Sequence, residues 1–140
     1  MALSRLVLID SLAWIEYLRL GRGAASDAVD GLLQEDRVTL CGTVEAEIIR
    51  GIRMTDGLNT PDLRTVASLL VALPYLETER QDYIAAGECL GELRRKGITI
   101  PLADALIGVL CLRQDLPLLT LDAHFDHLPD VKRFDAHSPA

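Results

Sequence analysis

The sequence lacks any hydrophobic run long enough to cross a membrane. Its longest apolar stretch, Ala105 to Leu112, falls far short of the roughly 18 residues that a membrane span needs. Charged residues at Asp10, Glu16 and Arg19 interrupt the N-terminal apolar region too early for a secretory signal peptide. We therefore expect no membrane segment and a cytoplasmic location.

Cysteine is scarce, and its distribution argues against a disulfide framework. The three cysteines, Cys41, Cys89 and Cys111, are odd in number, widely spaced and set among apolar neighbours, and no C-x-x-C motif occurs. This arrangement favours buried free thiols in a reducing compartment over disulfide bonds or a zinc site.

Positive charge is also in short supply. Fourteen basic residues face twenty-one acidic residues, which gives a formal net charge of −7. Such a balance argues against passive binding of nucleic acid through a basic surface. It does not exclude a nuclease, because acids clustered as ligands of a metal would also contribute to the negative charge. For the basic run 94–96 we favour a role at a helix C-terminus over contact with RNA.

Several signatures of common α/β enzymes are missing as well. The chain contains no G-x-G-x-x-G dinucleotide fingerprint, no G-x-x-x-x-G-K-S/T phosphate loop and no G-x-S-x-G nucleophile turn. It also shows no internal repeat and no low-complexity segment. Dinucleotide binding, P-loop chemistry and an α/β-hydrolase are therefore disfavoured.

Short apolar runs alternate with amphipathic stretches along the chain. The predicted strands are 5–10, 37–41, 74–77 and 117–121, with 131–134 as a candidate edge strand. The predicted helices are 11–20, 24–35, 43–55, 61–73 (with Thr60 as N-cap), 80–96 and 101–115. This alternation predicts an α/β fold whose parallel sheet is covered on both faces. Residues 1–140 are expected to form one domain.

Four acidic residues occupy positions that such a fold would bring together. Asp10 and Asp122 each follow a candidate buried strand, and open α/β sheets place their sites at the carboxyl ends of the strands. Glu47 lies on the third predicted helix, and Asp104 lies in the first turn of the most apolar helix. Converging acids repel one another unless a cation neutralises them, and carboxylate oxygens suit Mg²⁺ or Mn²⁺. We predict these four residues to be metal ligands and catalytic residues.

Each acid also has a simpler structural explanation. Asp10 could cap the following helix, Glu47 could be a solvated helix charge, and Asp122 could be a turn residue. Asp104 is harder to explain in this way, because its helix is apolar on nearly every face. An ionised carboxylate in a dry interior needs a partner or a metal.

Two histidines lie close to the fourth acid. His124 and His127 lie three residues apart beside Asp122 and Asp126, an arrangement that could bind zinc. No third strong ligand follows at a typical spacing, so surface or capping roles are favoured for both histidines. Asp126 is ranked below Asp122 as a ligand.

The four acids lie in four short motifs, namely Leu8 to Leu18, Glu47 to Gly51, Leu102 to Ile107 and Leu119 to Asp126. In this order and spacing the motifs resemble those of PIN-domain ribonucleases, specifically the VapC toxins of bacterial and archaeal toxin–antitoxin pairs. The resemblance covers essentially the whole chain. In one departure, Leu12 stands where the family often has Ser or Asn, and the neighbouring Ser11 is expected to point elsewhere on the helix.

The resemblance implies a PIN-like α/β/α sandwich with a central parallel sheet of four to five short strands. It implies an Mg²⁺- or Mn²⁺-dependent endoribonuclease that inhibits growth by cleaving RNA. The implied partners are a VapB-type antitoxin, whose C-terminal segment would direct a basic side chain toward the acids, and a second copy of the chain in a homodimer. Two alternatives stay open: a PIN-type RNA-processing nuclease without an antitoxin, and a phosphatase-like α/β protein with an acidic Mg²⁺ site.

Overall fold

A computed structural model of the chain describes residues 5–55 and 61–137. Within these residues the strands are β1 (Val7–Ile9), β2 (Val38–Cys41), β3 (Tyr75–Leu76) and β4 (Leu118–Leu119). The helices are α1 (Ser11–Arg19), α2 (Ala24–Gln34), α3 (Gly42–Arg53), α4 (Leu63–Val71), α5 (Arg80–Arg95) and α6 (Leu102–Gln114). A 3₁₀ helix, Ala123–His127, follows β4.

The four strands form one parallel sheet in the order β3-β2-β1-β4. Every residue of β1, β2 and β4 is buried, on both faces of the sheet. Strands buried on both sides read as continuous apolar runs, which is why β1 and β4 were recognisable in the sequence. The β2 segment was predicted instead from its alternation of apolar and polar residues, and its polar residue Thr39 is fully buried as well. The structure confirms the α/β/α sandwich and a sheet at the lower end of the predicted strand number.

Two apolar clusters build the core around this sheet. The larger contains β1, β2 and β4 together with Trp14 and Phe125, which are the largest fully buried side chains. The smaller lies between α5 and α6 and is formed by Ala86, Leu93, Ile100, Ala105 and Leu106. Helix α6 contributes to both clusters. In its first turn Asp104 and Ala105 are buried, as the apolar sequence predicts, whereas Leu102 is exposed.

A close approach of two helices lies beside the predicted site. A Cβ atom at Gly51 of α3 would come within 2.6 Å of the Cδ1 atom of Ile15 in α1. Gly51 lies four residues after Glu47, on the same face of α3. The missing side chain therefore lets α1 pack against the face of α3 that carries Glu47.

A buried ion pair joins the start of α5 to the end of α6. Asp82, only 2 % exposed, accepts two hydrogen bonds from the guanidinium of Arg113, at 2.7 and 2.9 Å. Its Oδ2 atom also accepts the backbone N–H of Glu79 at 2.8 Å, and Arg113 donates further to the carbonyl of Glu77 at 3.1 Å. A bidentate charged pair of this kind fixes geometry as well as adding energy. It sets the position of α6 relative to α5.

Some local predictions differ from the structure. The segment 131–134 contributes a single parallel bridge between Leu118 and Arg133 and no further strand. The fourth helix begins at Leu63 with Asp62 as N-cap, two residues after Pro61, and Thr60 lies outside the described residues. The 3₁₀ helix after β4 was not predicted. Among the helices of the described ranges, none has the length and apolarity to cross a membrane.

Candidate active site

The predicted ligands collect at the carboxyl ends of β1 and β4. The chain runs from β1 through β2 to β3 in one direction across the sheet and then places β4 on the other side of β1. Such a reversal of strand order opens a crevice between the two adjacent strands. Asp10 directly follows β1, and Asp122 lies three residues after the end of β4.

Asp10 is held from two sides and is only 2 % exposed. Its Oδ1 atom accepts the backbone N–H of Ser11 at 2.7 Å, so it caps α1, as the structural explanation proposed. Its Oδ2 atom accepts the hydroxyl of Thr120 at 2.8 Å. Burial raises the pKa of Asp10, while the hydrogen bonds from Thr120 and Ser11 act in the opposite direction. Capping and membership of the acidic cluster are therefore compatible roles.

Thr120 connects the first acid to the fourth. While its hydroxyl donates to Asp10, its oxygen accepts the backbone N–H of Asp122 at 3.0 Å. One side chain thus ties the residue after β1 to the segment after β4. Sequence reasoning did not single out Thr120, because a threonine near a strand end carries no distinctive pattern.

Asp104 and Asp122 share a contact with His124. Asp104, in the first turn of α6 and 5 % exposed, has its Oδ2 atom 2.7 Å from the Nδ1 atom of His124. Asp122 places its Oδ1 atom 3.2 Å from the same nitrogen and accepts the backbone N–H of His124 at 2.9 Å. Burial raises the pKa of Asp104, and the charges of Asp122 and Asp10 add to that effect, whereas the hydrogen bond with His124 lowers it.

Glu47 has a carboxylate oxygen that is not satisfied by hydrogen bonding. Its Oε1 atom is buried and has no hydrogen-bond partner among the residues described. Burial raises the pKa of Glu47, and the charges of Asp10, Asp104 and Asp122 raise it further. Hydrogen bonding from the Ser11 side chain opposes this rise. A buried carboxylate oxygen without a donor, beside three other acids, is the environment that a divalent cation fits.

The structure therefore brings all four predicted acids together, since each acts electrostatically on at least one other. Glu45, two residues before Glu47 on α3, acts instead on Tyr75, whose pKa is raised by burial and by the charge of Glu45. The expectation for Ser11 is wrong. Its side chain is buried and acts on Glu47 and Asp10, whereas Leu12 is 47 % exposed.

His124 is the main residue that sequence reasoning misplaced. It was assigned a surface or capping role, but its ring contacts two of the predicted ligands. Its neighbour His127 is exposed, and Asp126 pairs on the surface with Arg133 at 3.0 Å. In the sequence His124 and His127 look equivalent. In the structure they lie one turn apart along the 3₁₀ helix, and only His124 is close to the acids.

Comparison with protein-family models identifies the family of this chain. Residues 7–131 match the model of the PIN domain. The chain belongs to the PIN-domain family. It is 31 % identical over 137 residues to ribonuclease VapC11 of Mycobacterium tuberculosis, a match that covers 95 % of this chain and 98 % of the relative. Within the family it therefore belongs with the VapC ribonucleases, as its four motifs predicted.

Solved PIN-domain structures share the fold at lower identity. VapBC from Salmonella typhimurium, crystallised bound to DNA, superposes with a TM-score of 0.75 at 20 % identity and covers 94 % of this chain and 98 % of its own. VapC20 of Mycobacterium tuberculosis, a toxin that cleaves the sarcin–ricin loop, superposes with a TM-score of 0.66 at 13 % identity. The match covers 87 % of this chain and 94 % of VapC20. PIN-domain nucleases depend on a divalent metal. Within the described residues, the side chains of Asp104, Asp122 and His124 lie close enough together to hold one. Neither the antitoxin-free nuclease nor the phosphatase-like alternative is favoured by these matches.

Proposed function

We propose that this chain is the endoribonuclease toxin of a toxin–antitoxin pair. We further propose that Asp10, Glu47, Asp104 and Asp122 hold one or two Mg²⁺ or Mn²⁺ ions at which RNA is cleaved. The observation that carries the proposal is the buried, unpartnered Glu47 Oε1 atom among three other carboxylates. In this proposal residues 1–140 act as one domain in the cytoplasm.

The surroundings of the acids assign them different roles. Asp10 and Asp104 are the most buried and are held by hydrogen bonds, so they provide fixed ligand positions. Glu47, with its raised pKa and a free Oε1 atom, is the best placed to accept a proton from the attacking water. When bound, a divalent metal held by these acids would lower the pKa of a water ligand and offset negative charge on the phosphate oxygens. The expected products carry a 5′-phosphate and a 3′-hydroxyl.

The proposed partner is a small VapB-type antitoxin. The VapC relative and the VapBC complexes of similar fold support this assignment. An acidic crevice suits an inserted Arg or Lys side chain, because charge-assisted hydrogen bonds to carboxylates are strong. A homodimer remains a further prediction, in line with the prevalence of twofold assemblies.

Cleavage assays with defined cations test the proposal. The purified chain should cut RNA with Mg²⁺ or Mn²⁺, stop when the metal is chelated, and leave fragments whose 5′ ends carry phosphate. It should leave p-nitrophenyl phosphate intact, and the product of a small adjacent reading frame should inhibit it. Hydrolysis of the monoester with RNA left intact would instead select phosphatase chemistry. Sequencing the 5′ ends after brief induction would then identify the RNA target.

A further inference from the structure

His124 lies where a metal ligand would lie. Its Nδ1 atom is 2.7 Å from Asp104 Oδ2 and 3.2 Å from Asp122 Oδ1, and one ligand atom from each residue falls within 4.8 Å of the others. Around an ion with bonds of about 2.1 Å, ligand atoms at right angles are about 3.0 Å apart. The observed separations fall on either side of that value. The two distances to His124 Nδ1 therefore match the spacing of neighbouring ligands on one ion, and the carboxylates of Asp104 and Asp122 lie within 4.8 Å of each other.

The backbone fixes His124 at this position. Its backbone N–H donates to Asp122 Oδ1 at 2.9 Å, so the Asp122 side chain caps the start of the 3₁₀ helix, and the next residue, Phe125, is fully buried. The backbone is thus held on both sides of the His124 Cα atom. His127, at the other end of the same helix, is exposed and has no carboxylate of the cluster beside it among the contacts of the described residues.

We propose that His124 is a nitrogen ligand of the metal site, acting through Nδ1 alongside Asp104 and Asp122. The proposal rests on the proposed function and extends it. It replaces the all-oxygen site expected from the acidic motifs with a mixed nitrogen and oxygen site. In the tautomer with hydrogen on Nε2, the Nδ1 lone pair faces the two carboxylates.

A nitrogen ligand changes which cation the site prefers. Imidazole suits first-row transition metals, whereas carboxylate and water suit Mg²⁺. The site should therefore bind Mn²⁺ more tightly than Mg²⁺ by a margin that depends on His124. Two substitutions separate this effect from damage to the helix. His124→Ala removes the ring, and His124→Asn keeps a polar atom near the Nδ1 position but offers oxygen in place of nitrogen.

Pulsed electron paramagnetic resonance of bound Mn²⁺ tests the ligand directly. The wild-type protein should show coupling to ¹⁴N, the matched control His127→Ala should keep it, and both His124 variants should lose it. Calorimetric titration should show the preference for Mn²⁺ over Mg²⁺ falling by at least about tenfold in His124→Asn. Replacing a group that only hydrogen-bonds to a metal ligand commonly lowers metal affinity by about that factor, and His124 would be a ligand itself.

Two results would overturn the inference in different ways. Wild-type protein that binds Mn²⁺ without ¹⁴N coupling, and that cleaves RNA, would show an all-oxygen site and leave the proposed function standing. Wild-type protein that neither binds Mn²⁺ nor cleaves RNA would overturn the proposed function and this ligand assignment together.

Discussion

At the scale of single residues, the site is made of carboxylates whose surroundings disfavour the ionised form. Asp10, Glu47 and Asp104 all have a raised pKa, and burial is the first cause in each case. Hydrogen bonds from Ser11, Thr120 and His124 offset part of that cost. Acids held in this way are poor contributors to stability and good candidates for binding a cation.

Asp104→Asn should separate activity from stability. The substitution keeps the shape of the side chain and removes its charge, so RNA cleavage should fall by at least about 100-fold, the scale of losing one preorganised electrostatic group. The midpoint of thermal unfolding without metal should stay equal or rise, because repulsion within the cluster is relieved. Fragment yield and calorimetry measure the two effects.

Asp126→Asn is the matched control for that variant. It removes one carboxylate from the same neighbourhood, but Asp126 is exposed and paired with Arg133 outside the cluster. Its cleavage activity should match that of the wild type. An Asp104→Asn protein with full activity and a lower unfolding temperature would make Asp104 a structural residue.

Glu47→Gln should stabilise the metal-free protein in a pH-dependent way. The folded pKa of Glu47 lies above its ordinary value of 4.5, so between these values the native state binds more protons than the unfolded state. Stability of the wild type therefore falls as pH rises through this window and stays lower above it. The gain in unfolding free energy from Gln should be small near pH 4 and grow toward pH 7.

Urea denaturation of metal-free protein at a series of pH values measures this gain. Glu45→Gln provides the comparison, since it removes a charge from the same helix outside the cluster. A gain for Glu47→Gln that is constant across the pH range would contradict the assignment of Glu47 to a desolvated acidic cluster.

At the scale of elements, α6 connects the site to the rest of the fold. Its first turn presents Asp104 to the crevice, and its last turn holds Arg113 against Asp82 of α5. The apolar cluster between α5 and α6 lies along the same helix. Because a helix is a stiff element, restraint at both ends and along one face determines where its first turn lies.

Arg113→Leu should destabilise the protein at neutral pH. The substitution leaves the buried Asp82 carboxylate without its guanidinium, at a cost of about 3 kcal/mol in unfolding free energy. Arg113 lowers the pKa of Asp82 below its ordinary value of 3.8, so the stability from this pair is present above that value and is lost as pH falls through the lowered pKa. The destabilisation should therefore shrink in acid.

Lys132→Ala is the control for this pair. Lys132 and Asp115 form an exposed ion pair at 2.8 Å, which should contribute less than about 1 kcal/mol. Chemical denaturation at pH 7 and in acid compares the two variants. Equal, small effects from both would show that the buried pair does not hold α6 in place.

At the scale of the whole molecule, the site exists because strands distant in sequence are neighbours in the sheet. β1 and β4 pair in parallel although more than a hundred residues separate them, and Thr120 bonds to Asp10 across that separation. The resulting crevice gathers negative charge in a chain whose net charge is already −7. Any cation that enters it, whether a metal or a partner's basic side chain, meets the same acids.

The metal and the antitoxin should therefore compete. Two ligands that use the same acids are linked reciprocally, so raising Mn²⁺ should weaken antitoxin affinity more than Na⁺ does at matched screening. The effect should be modest, because the family resemblance also implies that the antitoxin lies along an apolar groove of the first helices, which would supply most of its affinity. Calorimetric titration of toxin with antitoxin at constant ionic strength measures it.

The double variant Asp10→Asn/Asp104→Asn tests whether the competition passes through the acids. It should bind antitoxin with no sensitivity to Mn²⁺. Antitoxin affinity that is unchanged across the Mn²⁺ range that restores RNA cleavage would rule out direct occupation of the site. Inhibition would then act by blocking access of RNA.

The sequence by itself determined the elements and the acids that they carry. Continuous apolar runs predicted β1 and β4, and alternating apolar and polar residues predicted β2. The apolar character of α6 argued against an ordinary surface role for Asp104. The positions of Asp10 and Asp122 after strands followed from the same reading. These features depend on local periodicity and on the cost of burying charge, both of which a single chain displays.

Only the tertiary structure decided the partners of those acids. The contacts of His124 with Asp104, of Thr120 with Asp10 and of Ser11 with Glu47 join residues on different elements. No local pattern distinguishes His124 from His127, or predicts which serine or threonine faces the crevice. Such contacts are decided when the sheet order and the packing of α1, α3 and α6 bring the side chains within a few ångströms of one another.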